Sequence, residues 1–117
     1  MQKQQPFQVP TTDGKQIFEH FGFASSMRGD FSMAHMVAPA GWGEPFHMPQ
    51  FEEYIIVTRG QLLVEFSDKK VFVEAGESVV APKDTRVRYA NETTTDCEYV
   101  ALCLPAFRPD RVERESA

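Results

Sequence analysis

The chain has 117 residues, 42% of them hydrophobic and 25% charged, which suits one globular domain and leaves little for a second. A formal net charge of -5 and a pI near 5.1 argue against nucleic acid and against a polybasic membrane contact. No apolar run nears the ~20 residues that span a bilayer, and the opening ten residues lack the basic-then-apolar order of a signal peptide; a cytoplasmic protein is expected.

Taken in chain order, the signal is β. Residues 1–12, with Pro6 and Pro10, read as a polar N-terminal arm or edge segment. Lys15 to Phe23 alternates loosely, and Asp30 to Ala38 suits a strand. Pro39 to Pro49 carries three prolines and two glycines and reads as a loop. Phe51 to Thr58 is rich in β-formers, Arg59-Gly60 suits a tight turn, and Gln61 to Ser67 alternates apolar with polar. Asp68-Lys69-Lys70 is a polar hairpin turn. Val71 to Val73, Ser78 to Ala81, Arg86 to Tyr89 and Cys97 to Leu104 complete the series, separated by Ala75-Gly76, Pro82 to Asp84 and the polar loop Asn91 to Asp96. Residues 13–107 then form the domain, and 108–117 a mixed-charge tail that packs at its start and frays at its end. Seven or eight short strands with regularly spaced turns indicate a sandwich or small barrel. The two cysteines, Cys97 and Cys103, share one strand face and read as small buried hydrophobes, not as a redox pair.

Two stretches are more specific. Gly41, His47, Glu53 and Gly60 match G-x5-H-x-H-x3-E-x6-G, with Pro49 in place of the second histidine. Gly76, Pro82 and Asn91 match G-x5-P-x-G-x2-H-x3-N, with Asp84 in place of the glycine and Val87 in place of the histidine. In this the chain resembles the cupin superfamily, as a small single-domain member with a degenerate metal motif. The resemblance implies an all-β, jelly-roll barrel, a double-stranded β-helix around one pocket, and pairing into a homodimer. Strand parity places His47, Pro49, Phe51 and Glu53 on one face, and Val87, Tyr89 and Asn91 on another.

The typical cupin metal is held by three histidines and one glutamate. Only His47 and Glu53 carry over, since Pro49 and Val87 cannot donate; with two protein ligands at this incomplete site, a divalent ion (Fe, Mn, Ni or Zn) is expected to be weakly bound or absent. Glu44, three residues before His47, is a further candidate ligand. His47 and Glu53 are also the candidate catalytic pair, able to do acid–base work or to orient a ligand. Glu44, Phe46, Gln50, Phe51, Tyr89 and Asn91 are the candidate ligand-binding residues. His20 reads as a surface or structural residue, and His35 as a hydrogen-bonded barrel histidine. Trp42 suits a lid over the mouth or a subunit contact. Arg86 and Arg88 have the opposite parity to Val87 and read as solvated or interface arginines. The expected function is binding of a small organic acid or carbohydrate. The alternative is an isomerase, lyase or dioxygenase using His47 and Glu53, and a purely structural module comes third.

Overall fold

The computed structural model describes Lys3 and residues 5–26 and 29–115. Eleven strands are present among them: β1 (Phe7–Val9), β2 (Gln16–Phe21), β3 (Ser32–Ala38), β4 (His47–Pro49), β5 (Glu52–Arg59), β6 (Gln61–Phe66), β7 (Lys70–Glu74), β8 (Ser78–Ala81), β9 (Val87–Ala90), β10 (Cys97–Leu104) and β11 (Val112–Arg114). They form two antiparallel sheets, β1-β2-β3-β10-β5-β8 and β11-β4-β9-β6-β7, that face each other as a jelly-roll barrel. A single helical turn, α1 (Phe23–Ser26), and a 3-10 turn at Pro109–Arg111 are the helical pieces described.

Period-two patterning drives the inner strands. Along β5, Glu53, Ile55 and Val57 are buried while Tyr54, Ile56 and Thr58 face out. Along β10, Cys97, Tyr99, Ala101 and Cys103 are buried. The two strands pair antiparallel with Tyr99 opposite Val57, Ala101 opposite Ile55 and Cys103 opposite Glu53, so one inward face continues across both. Ile55, Val57, Leu62, Val64, Val73, Val87 and Tyr99 pack into one apolar cluster between the sheets. Each such aliphatic side chain contributes about 1.5–3 kcal/mol when removed from water.

Two short strands, β4 and β11, were not expected, while β1 forms at the sheet edge within the N-terminal segment. β4 lies at the end of the proline-rich stretch 39–49. It forms because His47 pairs with Val87 and because β11 lies alongside it, Val112 opposite Pro49 and Arg114 opposite His47. Pro49 is tolerated there as the last residue of a short strand. β1 joins the other sheet through β2, with Phe7 opposite Glu19. Both segments flanking 13–107 therefore enter the sheets.

The turn after β5 requires glycine twice over. Gly60 has φ +78°, and a Cβ there would stand 2.7 Å from the Asp96 carbonyl oxygen. No helix among the described residues is long and apolar enough to cross a membrane.

Candidate functional site

Between the sheets lies a cavity of about 450 Å3. The stretch 47–53 supplies its floor. His47, Pro49, Phe51 and Glu53 are all buried and alternate with the more exposed Met48, Gln50 and Glu52. Three of the four, His47, Phe51 and Glu53, line the cavity, whereas Pro49 does not.

The Glu53 carboxylate accepts a hydrogen bond from the Tyr89 hydroxyl at 2.9 Å. Burial pushes its pKa up from 4.5 to about 7; the Tyr89 bond and the positive charge of Lys15 act in the opposite direction. The carboxyl is thus divided between its two forms near neutral pH. Burial likewise raises the Tyr89 and Tyr99 phenols well above their ordinary value, so both remain hydrogen-bond donors.

His47 Nδ1 is 3.4 Å from the Pro45 carbonyl oxygen and 3.7 Å from Glu44 Oε2. A carbonyl only accepts, so that bond puts the proton on Nδ1 and leaves the lone pair on Nε2. Burial lowers the His47 pKa, with Glu44 opposing. The imidazole packs against the Tyr89 ring, centroids 5.7 Å apart.

Lys15 was not expected here. It stands just before β2 and lines the cavity with Ile17 and Glu19, the i, i+2, i+4 set of that strand. The loose alternation from Lys15 onward was the signal, but a Lys-x-Ile-x-Glu face reads as solvated. Nζ donates to the Tyr99 hydroxyl at 2.9 Å and lies 4.5 Å from the centre of the Trp42 ring. Burial lowers its pKa, while Glu44, Glu53 and Asp13 pull upward. Arg114, equally unexpected, lines the cavity from β11 with its guanidinium 3.5 Å from Glu44. Nothing local marked it, since its place follows from the pairing of β11 with β4.

Other expectations are corrected. Asn91 is wholly buried but lies outside the cavity. Its Nδ2 donates to the carbonyls of Ala38 (3.1 Å), Pro39 (3.2 Å) and Thr95 (2.8 Å), and its Oδ1 accepts from Thr93. It ties two loops together and has no group left for a ligand. Gln50 is exposed, because parity turns it away from His47 and Phe51. Phe46 faces a separate surface groove, with the Arg86 guanidinium 3.5 Å from its ring centre. Glu44, Phe51 and Tyr89 do line the cavity. His35 lies on the opposite strand face to Ala34 and Met36, outside the barrel, and pairs with Glu98 at 3.2 Å. Trp42 is a wall of the cavity, its Nε1 donating to Asp13 at 2.9 Å. Arg86 and Arg88 form ion pairs with Glu115 and Glu65.

The residues present do not make a divalent-metal site of the cupin pattern. Val87, directly opposite His47, is fully buried aliphatic, and Glu53 Oε1 is engaged by Tyr89. Among the described residues no three His, Cys, Asp or Glu side chains converge as a metal would require.

The model of the Cupin domain family matches residues 34–103. A Myxococcus xanthus protein named endoribonuclease YbeY is 38% identical over 108 residues, which are 92% of this chain and 37% of that protein. The chain thus spans little more than a third of that relative. Among solved structures, Streptomyces Pac13, a nucleoside dehydratase, superimposes with a TM-score of 0.78 at 15% identity over 98% of this chain and 91% of that one. The polyketide cyclase RemF of Streptomyces resistomycificus does so with 0.73 at 16% identity, over 88% and 72%. An RmlC-like cupin from Methanocaldococcus jannaschii gives 0.72 at 17%, over 90% and 92%. At these identities the likeness is one of fold. The family match covers well over half of the chain and includes the strands that carry His47, Glu53 and Tyr89, so this protein is a member of the cupin family.

Proposed function

We propose that this cupin binds a small organic molecule, an organic acid or a carbohydrate, in the cavity between its sheets. The observation that carries the reading is that polar groups of Lys15, Glu44, His47, Glu53, Tyr89 and Arg114 share one cavity with an apolar surface from Ile17, Met36, Phe51 and Phe107. A concave, largely apolar space with a few placed polar groups is the usual form of a ligand site, and about 450 Å3 lies within the usual size. Thermal denaturation with a panel of organic acids, sugars and nucleosides tests this. A saturable rise in melting temperature with one class, diminished by His47→Ala, is the expected result. No rise with any class overturns it.

A second reading, a metal-independent acid–base enzyme of isomerase or lyase type, is favoured by one observation. Glu53, with its pKa at about 7, shares a cavity with an imidazole whose Nε2 lone pair is available. Nε2 would take a proton from the ligand and protonated Glu53 would deliver one, a pairing suited to enolisation or loss of water. The dehydratase, cyclase and sugar phosphate isomerase names among proteins of this fold are in keeping with it. Incorporation of solvent deuterium into a bound ligand, abolished by Glu53→Gln, is the check. The ribonuclease name is not transferred: most of that relative lies outside the match, and a net charge of -5 suits RNA poorly. Homodimerisation is likewise proposed, with outward-facing Tyr54, Ile56 and Val80 as an apolar strip, and light scattering on the purified protein measures it.

A further inference from the structure

We propose that Lys15 is the anchor of the cavity and that it selects a ligand carrying a carboxylate, so that organic acids bind in preference to carbohydrates. The inference rests on the binding reading above and narrows it.

The acidic groups that line the cavity are each held by a hydrogen bond or ion pair within the chain. Each carboxylate there already has a donor. Asp13 accepts from Trp42 Nε1 at 2.9 Å, Glu19 accepts from the Ser25 amide at 2.8 Å, and Glu53 accepts from Tyr89 at 2.9 Å. Glu44 stands between Arg114 at 3.5 Å and His47 at 3.7 Å, which matches those two groups as well. Lys15 is different. Among the described residues its Nζ has one acceptor, the neutral Tyr99 hydroxyl, and no carboxylate within ion-pair distance. An ammonium has three N–H donors, so two remain for a guest. The Trp42 face at 4.5 Å compensates part of the positive charge but accepts no conventional hydrogen bond.

A half-buried charge with two unused donors, facing a cavity, is stabilised by an incoming anionic oxygen. A sugar hydroxyl would satisfy the donors but not the charge. A carboxylate on Lys15 would also hold the rest of the ligand in the same cavity as Glu53 and His47. Burial lowers the Lys15 pKa, with the more distant Glu44, Glu53 and Asp13 opposing, so a carboxylate in direct contact would strengthen the charged form.

Trp42 is the chain's single tryptophan and lies against Lys15 Nζ, so its fluorescence reports the arrival of an anion. The experiment titrates the full chain with sodium benzoate and sodium pyruvate, with benzamide and pyruvamide as uncharged counterparts, and with neutral sugars. A saturable change with the carboxylates, and none with the amides at equal concentration, is expected. Lys15→Met should weaken carboxylate binding by about tenfold or more, and Lys15→Arg should recover part of it. If Lys15→Met does not fold, the carboxylate and amide titrations of the unaltered chain decide alone. Amides that bind as well as their acids, or undiminished acid binding by Lys15→Met, overturn the assignment. Binding of sugars alone also overturns it while the binding reading stands. No response to either class removes the binding reading and the assignment with it.

Discussion

The hydroxyl of Tyr89, on β9, donates to Oε1 of Glu53, on β5, so one strand of each sheet contributes to a buried hydrogen bond of 2.9 Å across the barrel. The bond favours the charged carboxylate and holds the Glu53 pKa below where burial alone would place it. Tyr89→Phe should therefore move the Glu53 titration to higher pH and cost about 1 kcal/mol of stability. Carboxyl-carbon NMR of labelled glutamate follows the titration, and an unchanged or lower midpoint would contradict the role given to this bond.

Glu53 also makes stability depend on pH. Its folded pKa, about 7, lies above the unfolded value near 4.5, so the folded chain holds this proton more tightly. The contribution is complete below 4.5 and is lost as pH rises through about 7. That interval is worth roughly 3 kcal/mol. Glu53→Gln cannot titrate there. Unfolding free energies from urea denaturation should show the wild type losing ground to Glu53→Gln steadily across this range, and a flat difference would refute the assignment.

Asn91 acts on the fold and not on the ligand. Its amide donates to three backbone carbonyls, the one of Ala38 in a buried bond. Asn91→Ala should cost about 3 kcal/mol, while the affinity of the remaining folded protein for any ligand stays within about twofold. Denaturant titration and a binding isotherm on the same sample separate the two effects.

Two turn glycines share a left-handed backbone but differ in their surroundings. Gly76 has φ +87° and open space where a Cβ would stand, whereas Gly60 has φ +78° with the Asp96 backbone oxygen 2.7 Å from that point. Gly76→Ala should cost about 1 kcal/mol, from conformation alone. Gly60→Ala should cost about 3 kcal/mol or more, because a backbone oxygen yields less than a side chain tip. Equal melting temperatures for the two variants would refute the distinction.

The vacant corners of the metal motif can be tested by filling them. Pro49→His with Val87→His adds two imidazoles, one of them directly opposite His47. Calorimetry with Zn2+ or Ni2+ should record stoichiometric binding that His47→Ala removes, set against about 1–3 kcal/mol of overpacking at Val87. No gain in binding would place these positions on different faces.

The motif spacing and the period-two pattern made the barrel legible from the residues alone, as the inward set Glu53, Ile55 and Val57 illustrates. His47, Phe51, Glu53 and Tyr89 were legible for the same reason: motif position and parity agree there. Asn91 has the motif position too, but its role comes from three carbonyls that meet only after the loops close. Lys15 and Arg114 lay beyond reach. Each enters through a strand pairing distant in sequence, and a charged residue on an alternating strand reads as solvent-facing until its neighbours are known.

Half of the residues that line the cavity belong to the chain's two ends, Val9 to Glu19 on one side and Phe107 to Arg114 on the other, and so fall outside residues 34–103. The shared barrel core thus acts as a chassis, and the terminal segments are the interchangeable fittings. A comparison of this chain restricted to its core therefore leaves out half of the cavity wall, Lys15 and Arg114 included.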